Sequence, residues 1–203
     1  MYVYNIVIVI ILIIGFIAHF MTAPEIITSL NDSFSNNESA SALVHKIAEC
    51  VNPLVVDWNG TLATQCAPIY LRDDALKSLD FMIEKAITPF IITLANDWAG
   101  IHELLASEMP NIFEKVVIMT NQSWAPYHPY PPWRKHVRHL FSGSNTIPII
   151  ENDIAAVRDN PGMRGYYVRT FRPESEILDK KYRYHYQTLW AATNAAVSDY
   201  VGG

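Results

Sequence analysis

The sequence predicts an α/β domain built on a mostly parallel sheet and preceded by an N-terminal transmembrane helix. Two observations carry that expectation. From Leu43 onward, short apolar runs alternate with segments of helical period, the pattern of successive βαβ units. Ahead of them, Met1 to Pro24 contains no Asp, Glu, Lys or Arg, so the whole formal charge of −5 belongs to the rest of the chain.

The elements follow in order. Ile6 to Phe20 (IVIVIILIIGFIAHF), extended by Tyr2 to Tyr4, is long and apolar enough to cross a bilayer and shows no polar face. Residues 1–24 are therefore read as an anchor or signal segment, with residues 3–22 in the membrane. A cleaved signal would want a basic n-region, and a cut after Ala23 would leave Pro24 next to the scissile bond. A single-pass anchor is the preferred reading, and its orientation is open because no Lys or Arg precedes Lys46. Residues 25–42, rich in Ser and Asn, are read as a linker, and residues 43–203 as one domain.

Within the domain, Leu54 to Val56 is a strand ending at Asp57. Asp73 to Ala86 places Ala75, Leu76, Leu79, Met82 and Ile83 on one helical face. Pro89 to Thr93 is a second strand, Ile101 to Ser107 a helix, and Val116 to Thr120 a third strand. Pro132 to Phe141 is read as a helix opened by proline, and Ile147 to Ile150 as a strand. A short helix over Ile154 to Val157, a last strand over Tyr166 to Phe171 and a largely helical Glu174 to Val201 complete the chain.

Composition excludes several functions. The acidic balance argues against a general nucleic-acid binder. Cys50 and Cys66 are too few for a disulfide scaffold and lack metal-ligand spacing. His128, His136 and His139 match no zinc pattern and are read as surface histidines. The aromatic, proline-rich run from Trp124 to Trp133 is read as a rigid loop, with a substrate or partner surface near the rim as the alternative. The sequons at Asn31, Asn37 and Asn59 are three-residue patterns that arise often by chance.

In a parallel sheet, ligands bind beyond the carboxyl ends of the strands. Asp57-Trp58-Asn59-Gly60-Thr61, Thr93 and Glu151-Asn152-Asp153 each follow an apolar run, and Lys135 lies in the segment leading to the last of these. Carboxylate, hydroxyl and ammonium on one rim suit phosphoryl transfer through a carboxylate. Asp57 would attack phosphorus, Thr93 and Lys135 would donate to the phosphoryl oxygens, and Gly60 would let backbone N–H groups approach the phosphate. A divalent cation, most simply Mg²⁺, would sit between Asp57 and the acidic cluster.

The run VVDWNGTLA, Val55 to Ala63, resembles the first motif of the haloacid dehalogenase-like hydrolase superfamily. Thr93 after PFII is similar to the second motif, Lys135 to the third, and Ile147 to Val168 to the fourth motif with its following strand. The resemblance spans Leu54 to Arg172. It implies a Rossmann-like three-layer sandwich, Mg²⁺ dependence and, most often, phosphatase activity on a small or macromolecular phosphorylated substrate. By the same resemblance Asp57 is the nucleophile, Thr93 and Lys135 contact the phosphate with Gly60, Thr61 and Asn96, and Asp57, Asn59, Asn152 and Asp153 hold the metal. The short interval between Leu62 and the helix at Asp73 looks like a capless form. One departure stands out. Asn59 occupies the place of the acid–base Asp, and an amide cannot move a proton at neutral pH. The alternative is thus a catalytically degenerate domain serving as a membrane-tethered binding or structural protein.

Overall fold

The computed structural model describes residues 23–35, 40–50, 52–65, 68–95, 97–121, 135–141, 146–172 and 186–201. The apolar segment expected to span the membrane lies outside these residues, as do Cys66, Asn96, His128 and the run from Trp124 to Trp133. Among the described residues no helix is long and apolar enough to cross a membrane.

The elements are α1 (Ala23–Ser35), α2 (Ala40–Ala48), β1 (Pro53–Asp57), α3 (Ala75–Glu84), β2 (Thr88–Ile92), α4 (Trp98–Glu108), β3 (Val117–Met119), β4 (Ile147–Glu151), α5 (Ile154–Arg158), β5 (Met163–Tyr167) and α6 (Leu189–Val201). The five strands form one sheet in the order β3-β2-β1-β4-β5, with every pairing parallel. Successive strand residues point to opposite faces, and burial follows that period. Leu54, Val56, Ile91, Ile118 and Ile150 face a core shared with α3, α4 and α6. Val55, Phe90, Ile92, Val117 and Ile149 face a second core with Ile27, Leu30 and Ile47 of α1 and α2. The result is a three-layer α/β/α sandwich in which β1 to β4 are buried on both sides, which explains their unbroken apolar runs, while the edge strand β5 exposes Arg164.

Several boundaries differ from the expectation. Residues 25–42, read as a linker, are helical where described. Ile27 and Leu30 lie three apart on one face of α1 and are buried. Asn31 of α1 also completes the sheet. Its Nδ2 donates to Val116 O at 3.0 Å and its Oδ1 accepts from Ile118 N at 2.9 Å. One side-chain amide thereby pairs the exposed edge of β3 as a neighbouring strand would. A polar residue in this role looks like linker composition when read locally.

The last strand begins earlier than expected, at Met163, because Gly162 (φ +88°) turns the chain directly into the sheet. Beyond Tyr167, Val168 N still donates to Glu151 O at 3.0 Å, and Phe171 N donates to Gly60 O at 2.7 Å. The helix expected over Pro132 to Phe141 is, in its described part, an irregular stretch and a 3-10 turn at Arg138–Leu140. Of the helix expected from Glu174, α6 from Leu189 is described. Helix α4 starts three residues before its expected position because Asp97 caps it, accepting from Gly100 N at 2.9 Å.

Candidate active site

The chain builds β1, β2 and β3 outward in one direction, then returns to place β4 on the other side of β1. A crevice opens at such a reversal, at the carboxyl ends of the two diverging strands. Those ends carry Asp57 and Glu151. Val55 pairs with Ile149 and Val56 with Ile150, so the next position in register sets the two carboxylates side by side. Both are fully buried.

Lys135 joins them. Its Nζ donates to Asp57 Oδ1 and, at 3.0 Å, to Glu151 Oε2. The other Asp57 oxygen, Oδ2, accepts from Thr61 Oγ1 at 3.1 Å. Glu151 Oε1 accepts the backbone N–H groups of Asn152 and Asp153 at 3.0 and 3.1 Å. Two buried carboxylates thus share one ammonium. Burial alone would lower the Lys135 pKa, but the charges of Asp57 and Glu151 outweigh it and hold the ammonium above its ordinary value. Burial, then the neighbouring Asp57 charge, push Glu151 up to about 8 against the pull of Lys135.

The turn after β1 is fixed from several sides. Gly60 adopts φ +81°, and a Cβ there would collide with the Asn152 amide. Gly60 N donates to Ala63 O at 2.7 Å, and Leu62 N to Asp57 O at 3.3 Å. Arg72 straps this turn to the segment beyond β5, with Nη1 donating to Thr61 O at 3.3 Å and Nη2 to Arg169 O at 2.7 Å.

The expected residues separate into two groups. Asp57, Asn59, Gly60, Thr61, Thr93 and Lys135 lie on one rim, as the order of strand ends predicts. Thr93, though, directs its hydroxyl to Asn59 Oδ1 at 2.5 Å while accepting from Ala95 N at 3.0 Å. Its hydroxyl orients the Asn59 amide. In the acidic cluster it is Glu151 that joins Asp57. Asp153 caps α5, its Oδ1 accepting from Ala155 N at 2.9 Å, and is exposed. Asn152 Nδ2 donates to Thr170 Oγ1 at 3.2 Å. His136, expected at the surface, is buried, with Nδ1 3.0 Å from Asp159 O.

Sequence reasoning did not single out Glu151 as the pairing acid, nor Arg72 and Asn160. The register of Glu151 was the available signal: it ends an apolar strand as Asp57 does. Among the described residues no group of three or more His, Cys, Asp or Glu stands together.

No protein-family model matches the chain. No curated protein matches it either. Among solved structures, it is similar to D,D-heptose 1.7-bisphosphate phosphatase from B. bronchiseptica complexed with magnesium and phosphate. The two share 11% identity with a TM-score of 0.47, over 73% of this chain and 99% of that one.

Proposed function

We propose that this chain is a Mg²⁺-dependent phosphohydrolase acting through an aspartyl-phosphate on Asp57. The observation that carries the reading is the buried cluster of Asp57, Lys135 and Glu151 at the point where the strand order reverses, beside the Gly60 turn. An Asp57 oxygen would form a bond to phosphorus as the bond to the leaving-group oxygen breaks, and water would then hydrolyse the acyl phosphate. Lys135 donates to Asp57 Oδ1 and stands where it could transfer a hydrogen bond to a phosphoryl oxygen. Thr61 orients the second Asp57 oxygen, and Thr93 orients Asn59.

The donor set suits a hard divalent cation. Asp57 and Glu151 supply carboxylate oxygens, and once Glu151 gives up its proton the pair carries more negative charge than Lys135 neutralises. With the Asn59 carbonyl they would hold Mg²⁺, and Asn152 and Asp153 border that position in sequence. The cation would offset the repulsion between carboxylate and phosphate. Residues 3–22 are proposed to anchor the protein to a membrane, on the strength of their apolar, uncharged sequence.

The test is turnover of an aryl phosphate by the full chain with and without Mg²⁺, beside Asp57→Asn. Metal-dependent turnover lost in the variant supports the reading.

A second reading has its own support. Asp57 is fully buried with both oxygens engaged, and Asn59 offers an amide where acid–base work needs an ionisable group. On that reading the domain keeps the site's frame as a binding or structural protein. A folded chain with no turnover and no phosphate affinity would favour it.

A further inference from the structure

Lys135 lies on no regular element: residues 135–137 are irregular and the turn at Arg138–Leu140 follows. A flexible side chain on such a stretch cannot by itself hold an ammonium between two carboxylates, so its backbone needs an external hold. Asn160, just beyond the end of α5, supplies one. Its Oδ1 accepts from Val137 N at 2.8 Å and from Arg138 N at 2.9 Å. Its Nδ2 donates to Lys135 O, and to Ala156 O at 2.7 Å. Both acceptor sites and both N–H groups of the amide are then used, and the residue is 1% exposed.

We propose that Asn160 is the positioning residue of Lys135: its saturated amide fixes the backbone of residues 135–138, so that the ammonium meets Asp57 and Glu151. It is not a catalytic residue. Glu151 and Asn160 bracket α5, so one short unit, residues 151–160, holds both the acid that Lys135 pairs with and the clamp on its backbone. This role rests on the phosphohydrolase reading for its catalytic consequence alone. The placement of Lys135 can be measured without turnover.

The test is lysine acylation by acetic anhydride under native conditions, read by mass spectrometry on the full chain, with exposed Lys85 as internal reference. Asn160→Asp keeps both acceptors but turns a carboxylate oxygen toward the carbonyls of Lys135 and Ala156. Asn160→Ser is the milder variant. Asn31→Ala is the control, since it removes two hydrogen bonds at the β3 edge, away from Lys135.

In wild type, Lys135 should react far more slowly than Lys85. In either Asn160 variant it should react about tenfold faster, and in the control at the wild-type rate. An unchanged Lys135 rate in a folded Asn160 variant, or an equal rise in the control, overturns the proposal. Hydrogen exchange on wild type needs no variant. Val137 and Arg138 amides exchanging at free-peptide rates would also overturn it. If the acylation result holds while wild type turns over no phosphate, the positioning role stands and the phosphohydrolase reading fails.

Discussion

Lys135 Nζ lies 3.0 Å from Glu151 Oε2 while its other contact is Asp57 Oδ1, so a single ammonium ties the carboxyl end of β1 to that of β4. Removing one member of a fully buried ion cluster leaves uncompensated charge, which costs more than the intact cluster contributes. Lys135→Met should therefore destabilise the domain by about 3 kcal/mol. Adding Glu151→Gln should recover part of that loss above pH 8, where Glu151 is otherwise ionised, because only one buried carboxylate then lacks a partner. Urea unfolding of the single and double variants checks both expectations.

Glu151 gives the site a pH dependence of defined sign. Its folded-state pKa is raised to about 8 by burial and the Asp57 charge, while the unfolded chain titrates in the ordinary carboxyl range, about 4.3. The folded state binds the proton more tightly. The associated stability is fully present below the unfolded value and is lost as pH rises towards 8. Thermal unfolding should show wild type losing stability between those limits relative to Glu151→Gln. Mg²⁺ should raise the melting temperature more at pH 8 than at pH 5, since cation and proton compete for the same carboxylates. Parallel slopes for the two proteins would contradict the placement of the raised group.

Asn31→Ala should cost about 1–3 kcal/mol, because the N–H of Ile118 and the carbonyl of Val116 lose their partner at the β3 edge. Denaturant midpoints measure it. The same geometry predicts that the sequon at Asn31 carries no glycan in the folded protein, which intact mass would reveal.

Gly60→Ala should destabilise by about 1–2 kcal/mol through the left-handed conformation alone. The Asn152 amide, which a Cβ there would meet, would swing aside and give up its hydrogen bond to Thr170 Oγ1. A variant as stable as wild type would mean that the turn after β1 adopts another conformation.

The sheet was legible in the sequence because strands buried on both faces must be apolar throughout, and the polar residues after them fall on one rim by topology. Asp57, Gly60 and Thr61 fall on that rim. The parts that were not legible depend on contacts between distant residues. Among its described side chains α1 buries Ile27 and Leu30, and Asn31 makes its contribution through a polar side chain. The start of β5 is set by Gly162, whereas its aromatic tail drew the expected strand downstream. Which acid of Glu151-Asn152-Asp153 meets Asp57 is decided by strand register, and Asp153 is diverted to cap α5. Asn160 and Arg72 act on backbone carbonyls far away in sequence, and no local period encodes that.

The most direct measurement is the intact mass of the full chain, acid-quenched shortly after mixing with Mg²⁺ and an aryl phosphate, followed by localisation of any added phosphate. A single phosphate on Asp57, absent in Asp57→Asn, is the predicted result. A folded protein that turns the substrate over with no phosphate on Asp57, or whose Asp57→Asn variant keeps its activity, would contradict the account.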